Sequence, residues 1–171
     1  MTMGLAANLP LLFVAVGASP PAAIAAASLL GPVQVVARIL EYSARHRIDP
    51  LDSARIANVL HPIGAAVIAL GGAPVIVAFA VLHGTGSGML TIARGTLPLA
   101  LYGPQGYGAR IGRIAAPARV GQALSPFVFS VAIAKLGVAS LALSSGLSFA
   151  ALIALYQLSL PPKAQRRGET R

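Results

Sequence analysis

The sequence predicts an all-α, polytopic transmembrane helix bundle with five full spans and one truncated span at its N-terminal end. Of the 171 residues, 56% are apolar and only 10% are charged, whereas an ordinary soluble domain has roughly 25% charged residues. The apolar residues form long continuous runs without the period-two alternation that barrel strands require. The basic residues lie in short clusters between these runs, as residues that flank a membrane do.

The bounds of the spans follow from the apolar runs, because a helix needs about 20 apolar residues to cross a bilayer. The first run, residues 5–17, is too short and is predicted to be the truncated span. Its alternative is a signal peptide, which the absence of a preceding lysine or arginine disfavours. Full spans are predicted at residues 21–42, 56–70, 75–102, 114–134 and 139–160. Residues 1–160 then form the bundle, and residues 161–171 form a basic tail.

The positions of the basic clusters predict the orientation of the bundle. The connections at residues 43–55 and 103–119 and the tail are basic, whereas residues 71–74 are uncharged and residues 135–138 contain one lysine. Positively charged loops stay on the cytoplasmic side. We therefore expect an integral protein of the plasma (inner) membrane whose C-terminus is cytoplasmic.

Composition also bounds the partners and cofactors. The net charge of +9 would by itself suggest a nucleic-acid partner. Aromatic residues make up only 5% of the chain, too few for base stacking, so the predicted partner is the lipid bilayer and not nucleic acid. The chain has no cysteine, and His46, His61 and His83 lack the spacing of a metal site. No cofactor is predicted.

A candidate cytoplasmic loop motif follows the first full span. There, Glu41 precedes Arg45 and Arg47. These residues correspond to the acidic residue and the basic pair of a cytoplasmic loop motif. The aspartate-arginine-glycine core of that motif is missing here.

Two later segments add to this pattern. The loop at residues 103–113 combines glycines with Arg110 and Arg113, and residues 121–126 combine a glycine with a proline. Together the three segments resemble the carboxy-terminal half of the major facilitator superfamily, helices seven to twelve with the first truncated. The resemblance implies a secondary active transporter that works by alternating access, with a central site shared between two six-helix halves.

The same resemblance implies the partners of the chain. They would be a small-molecule substrate and either the missing N-terminal half or a second copy of this chain. The alternative function is a non-transporting membrane scaffold or the remnant of a truncated gene.

Charged residues inside the spans indicate the substrate site, because charge within a membrane is rare and usually functional. Arg38 and Arg94 lie inside predicted spans. The structural alternative is snorkelling to the headgroups, with Arg38 paired to Glu41. No acidic residue lies deep in a span, so the sequence favours an anionic solute and leaves a neutral or amphipathic one open. The predicted substrate-binding residues are Arg94, Arg38, Gln34, Thr91 and Gln122.

A glycine cluster interrupts the span at residues 75–102. Gly84, Gly86 and Gly88 are predicted to allow close helix packing or to form a hinge. Ser87 beside these glycines suggests an intramembrane enzyme, but no histidine follows His83 to activate it. The chain is therefore not expected to be an enzyme.

Overall fold

The computed structural model describes residues 2–44 and 47–159, and the side chains of all of these except residues 2 and 3. In this part of the chain all regular structure is helical, and the all-α class is confirmed. The helices are α1 (Thr2–Ala7), α2 (Leu9–Ala15), α3 (Pro20–Ser28), α4 (Leu30–Ala44), α5 (Pro50–Gly71), α6 (Ile76–Tyr102), α7 (Tyr107–Leu136) and α8 (Ser140–Tyr156). Short 3-10 turns cover Ala73–Val75 and Gly137–Ala139.

Four helical stretches in the described part are long and apolar enough to cross a membrane. They are Pro20–Ala44, Pro50–Gly71, Ala73–Tyr102 and Tyr107–Tyr156. The last stretch contains both α7 and α8, which meet at the turn where Gly137 takes a φ of 54°. The count is thus close to the five full spans predicted, and the length and composition of these helices are compatible with an integral membrane protein.

Two helices extend well beyond the predicted apolar runs. Helix α5 begins at Pro50 rather than at residue 56, since Asp49 is extended and proline suits a first helical turn. Helix α7 begins at Tyr107 rather than at residue 114, after Gly106 in the left-handed conformation. Hydropathy alone misses such polar first turns because they lie at the ends of a span.

The predicted truncated span is two short helices that belong to the core. Helices α1 and α2 break at Asn8, and α2 begins at Leu9 with Pro10 in its first turn. The Asn8 amide donates to the carbonyl of Gly4 at 2.8 Å and to that of Pro126 in α7 at 3.0 Å. Leu9, Leu12 and Phe13 are fully buried, and Phe13 contacts Phe79 of α6 edge-on at 5.8 Å between ring centroids.

Helix α6 lies at the centre of the bundle, packed against α5 and α4, while α8 packs on α5 and α1 packs on α7. Consecutive long helices run in opposite directions. At one end of the bundle, Arg55 near the start of α5 donates to the carbonyls of Leu155 and Leu158 at the end of α8, at 3.2 and 3.4 Å. At the same end, the Tyr107 hydroxyl donates to the carbonyl of Gly95 at 2.9 Å. The segments that follow α4, α6 and α8 therefore lie at one end.

The outer surface of the bundle is apolar. Large aliphatic and aromatic side chains project outward, among them Leu70, Leu40 and Phe127, which are 90%, 64% and 72% exposed. In water such a surface would be an aggregation liability. In a bilayer these side chains contact acyl chains.

The glycines of α6 lie where helices approach closely. A Cβ on Gly84 would lie 2.8 Å from Val33 of α4. A Cβ on Gly88 would lie 2.8 Å from the carbonyl oxygen of Gln34, which is also in α4. Gly86 faces α5 instead, where a Cβ would lie 2.7 Å from the imidazole of His61. A side chain at any of these three glycines would have to displace the neighbouring atoms. The glycines therefore allow α6 to pack closely against α4 and α5.

Candidate ligand-binding cavity

A cavity of about 480 Å³ lies between α5, α6, α8 and the first turns of α7. Its volume falls in the range of about 300–1,000 Å³ that small-molecule sites occupy. Most of its lining is aliphatic, and the polar or charged side chains that line it are those of Asn58, His61, Arg94 and Ser148. An apolar wall with a few converging polar groups is typical of a binding site for an organic small molecule.

Arg94 supplies the only charge among the residues that line this cavity. It lies eight residues before Tyr102, the last residue of α6, and therefore about 12 Å from that helix end. Among the described residues, the Arg94 guanidinium makes neither a hydrogen bond nor an ion pair. The salt bridge in this part of the chain is that of Arg55 with Asp52. Arg94 is thus a cation beside an apolar cavity without an acidic partner.

His61, in the middle of α5, is one of the residues that line the cavity. The ring is buried, at 6% exposure, and its Nδ1 lies 2.9 Å from the carbonyl oxygen of Ala57. A carbonyl can only accept, so Nδ1 carries the hydrogen. The other nitrogen, Nε2, is buried and has no hydrogen-bond partner.

The His61 ring is held in place by its neighbours in α6. Its centroid lies 4.8 Å from that of His83, with 64° between the ring planes, and the His83 ring stacks on Phe79 at 5.5 Å. Gly86 leaves room for the His61 ring, because any side chain there would overlap it. The imidazole therefore has little freedom to turn away from the cavity.

Two prolines mark the cavity on the backbone. Pro62 and Pro98 lie inside α5 and α6, four residues after Asn58 and Arg94. Proline has no N–H, so the carbonyls of Asn58 and Arg94 lose their usual helical donors. In membrane helices such breaks are tolerated where the backbone is buried in protein or lines a cavity.

The structure separates Arg94 from the other residues predicted to bind substrate. Arg38 donates to Gln34 at 3.3 Å on α4, away from the cavity. The Thr91 hydroxyl donates to the carbonyl of Ser87 at 2.9 Å, and Gln122 is half-buried on α7. Of the five predicted residues, only Arg94 lines the cavity.

The loop residues have structural contacts of their own. The ion pair of Arg38 with Glu41 does not form, because Glu41 instead accepts a hydrogen bond from the Ser53 hydroxyl and so joins α4 to α5. Arg110 donates to the carbonyl of Tyr102 at 3.0 Å, at the end of α6.

The remaining loop predictions lie on exposed or undescribed parts of the chain. Arg47 and Arg113 are exposed. Arg45 and the predicted tail at residues 161–171 lie outside the described residues.

Sequence reasoning missed His61, Asn58 and Ser148. One signal was present, since Asn58 and His61 are three residues apart and so share a face of a helix that is otherwise largely apolar. What the sequence did not show is which helices are neighbours. Ser148 is 54 residues away from Arg94, and only the fold places both beside one cavity.

Comparison with known proteins finds no match to a family model, to a curated protein or to a solved structure. The resemblance to the major facilitator superfamily therefore stays a prediction from sequence motifs.

Proposed function

We propose that this chain is half of a secondary active transporter, and that its cavity is part of the path for a small anionic solute with an apolar body. The observation that carries this proposal is the unpaired Arg94 in a cavity that no acidic residue lines. The apolar walls suit the body of the solute, and the guanidinium suits its anionic group.

Arg94 is exposed on the bundle, yet it lies within a membrane-spanning helix, and there a cation favours an anionic ligand. A charge inside a membrane is costly unless it is paired or hydrated. Arg38 donates one hydrogen bond to Gln34, and Arg55 contacts Asp52 and the end of α8, although Nε of each is buried without a partner. Arg94 has no such partner in the described part of the chain, so an anion entering the cavity would supply one. A scaffold gives no reason for this arrangement.

A second half would complete the path. The first half of α7 exposes most of its residues and carries Arg113 and Arg119, and the half-buried Gln122 follows directly. This face is available to a separate N-terminal half or to a second copy of the chain. The bundle would lie in the plasma (inner) membrane with its C-terminus in the cytoplasm, and the cavity would then lie in the cytoplasmic half of the bilayer.

The test is uptake by proteoliposomes that contain the full chain. Octanesulfonate is a suitable probe because it stays anionic and crosses lipid poorly, and radiolabelled octanesulfonate would be followed into the vesicles. We expect saturable uptake that Arg94→Gln reduces about tenfold or more, because the variant loses the charge that pairs with the anionic group. Arg38→Gln is the matched control and should keep the uptake. Equal uptake by wild type and Arg94→Gln would contradict the proposal. No uptake above empty liposomes would contradict transport by two copies of this chain.

A further inference from the structure

We infer that the end of α8 and the two residues after it, residues 155–158, form a gate between the cavity and the predicted cytoplasmic end of the bundle, and that Arg55 of α5 holds this gate closed. The inference rests on the proposed function, since a gate matters only where a ligand enters the cavity. It adds the control of access to that site and gives Arg55 a role in it.

The gate separates two cavities. Leu155 and Leu158 line the large cavity, as do residues earlier in α8. Leu158 also lines a second cavity of about 310 Å³, together with Asp52, Arg55 and Ser159. The first turn of α5 contributes to this second cavity, which therefore lies at the end of the bundle. Leu158 thus lies between the two cavities, and its displacement would join them.

The gate is joined to α5 by Arg55. The guanidinium donates to the carbonyls of Leu155 and Leu158 at 3.2 and 3.4 Å, and it lies 4.7 Å from the ring centroid of Tyr156. Helix α8 ends at Tyr156, so the carbonyls of its last turn have no donors within the helix. A cation at a helix C-terminus also interacts favourably with the helix dipole. One side chain of α5 therefore binds both gate residues that line the large cavity.

Apolar packing gives the closed gate little stability in a bilayer. Leu158 is partly exposed, and lipid is as apolar as the wall of the cavity, so returning Leu158 to that wall brings no hydrophobic gain. The carbonyls that Arg55 binds lie at the end of the bundle, where water can replace a lost donor. The closed position therefore depends on the polar contacts of Arg55.

Arg55 also has a second arrangement open to it. Its Nη1 lies 3.2 Å from Oδ1 of Asp52, whose side chain is more than half exposed, while its Nε is buried without a partner. A guanidinium that turned outward with Asp52 would keep this ion pair and expose Nε to water. The open and closed arrangements thus each satisfy most donors of Arg55, as a two-state element requires.

The first test measures access to the cavity with a thiol reagent and needs no transport. The chain has no cysteine of its own. Ser148→Cys places a thiol on the cavity wall, and Ser125→Cys places one at a buried position of α7 outside the cavity. Each full-length protein is labelled in lipid nanodiscs with sulfonatoethyl methanethiosulfonate, which is anionic and crosses lipid poorly.

Arg55→Ala should open the gate and leave the rest of the bundle closed. We expect it to speed the labelling of Ser148→Cys about tenfold or more, because hydrogen bonds from a charged donor hold the closed state. Ser125→Cys should react slowly with or without Arg55. Arg47→Ala, at an exposed position of the same end, is the matched control and should change neither rate. Unchanged labelling of Ser148→Cys, or equal acceleration at Ser125→Cys, would overturn the inference.

The second test closes the gate with a reversible cross-link. Asp52 and Ser159 are exposed and line the second cavity from α5 and from the segment after α8. The thiols of an Asp52→Cys/Ser159→Cys protein are joined by ethanediyl bismethanethiosulfonate in proteoliposomes. We expect octanesulfonate uptake to stop after cross-linking and to return when dithiothreitol releases the link. Each single cysteine variant treated with the same reagent is a control and should keep its uptake.

The two tests distinguish this inference from the proposed function. Uptake that continues through the cross-linked protein would overturn the gate and leave the anion-binding cavity in place. Absence of octanesulfonate uptake before cross-linking would count against transport by this chain alone. The labelling rates of Ser148→Cys would then still decide for or against the gate.

Discussion

At the scale of single residues, the contrast between Arg94 and Arg38 shows what a sequence can and cannot tell. Both were predictable as guanidinium groups inside apolar helices. Their difference was not, because it depends on what lies opposite each side chain. Arg38 finds Gln34 one turn away on its own helix, at 3.3 Å. Arg94 faces the wall of a cavity that residues from α5 and α8 complete.

The role of His61 likewise could not be predicted from the sequence. Its burial follows from the position of α5 against α6, which no periodicity in α5 specifies, whereas its hydrogen bond to Ala57 lies within α5. A histidine in a buried apolar helix is typically a structural residue. His61 differs in being one of the residues that line the cavity.

The closeness of Gly86 to His61 gives a prediction at this scale. Gly86→Ala would place a methyl group 2.7 Å from the imidazole and 2.9 Å from the carbonyl oxygen of Ala57. We expect it to lower the free energy of unfolding by about 1–3 kcal/mol, as overpacking does, and to weaken octanesulfonate binding by moving the ring. SDS titration of the purified protein measures the first effect and calorimetry the second.

Gly146→Ala is the matched control for this substitution. Gly146 is exposed on α8, and a Cβ there meets nothing within 4 Å. Gly146→Ala should leave octanesulfonate binding unchanged. It should leave the free energy of unfolding unchanged or raise it slightly, since alanine favours a helix. A Gly86→Ala protein as stable as the control would show that α5 and α6 are not so tightly packed here.

At the scale of elements, the sequence was most informative about where helices exist and least about where they begin. The apolar runs gave each long helix, because lipid exposure imposes a continuous apolar stretch. They gave neither the polar first turns of α5 and α7 nor the packing of α1 and α2 into the core. Those features depend on Pro50, Gly106 and Asn8, whose effects are local or reach across to α7.

The end of α8 is held by one side chain of α5. Arg55 donates to the carbonyls of Leu155 and Leu158, and its guanidinium lies 4.7 Å from the ring centroid of Tyr156. Hydrogen bonds from a charged donor contribute about 1.5–3 kcal/mol, and a cation–π contact adds about 0.5–1 kcal/mol at an exposed site.

Removing this contact should loosen α8 and little else. We expect Arg55→Ala to lower the free energy of unfolding by about 1–3 kcal/mol and to speed hydrogen exchange in the last turns of α8. Mass spectrometry of exchanged peptides measures the second effect. Arg47→Ala, at an exposed position, is the control. Uniform acceleration across all helices, rather than in α8, would show that Arg55 does not act locally.

At the scale of the whole molecule, the bundle combines an apolar exterior with one cationic cavity. The connections that the sequence predicts to be cytoplasmic do lie together at one end, as the contacts of Arg55 and Tyr107 show. Which side of the membrane this end faces follows from the distribution of basic residues and stays a prediction.

The orientation can be measured directly because the chain contains no cysteine. Ser19 and Gln105 are exposed and lie in opposite connections. We expect Ser19→Cys to react with an impermeant maleimide in intact cells, and Gln105→Cys to react only after the membrane is opened. The reverse pattern would invert the topology and place the cavity in the outer half of the bilayer.

The most direct measurement of the central claim is a crystal structure of the full chain with 8-bromooctanoate, whose bromine is located by its anomalous scattering. The proposed function predicts the carboxylate against the Arg94 guanidinium and the bromine among the aliphatic side chains of the cavity. A ligand bound at Arg38, or on the lipid-facing surface with the cavity empty, would contradict it.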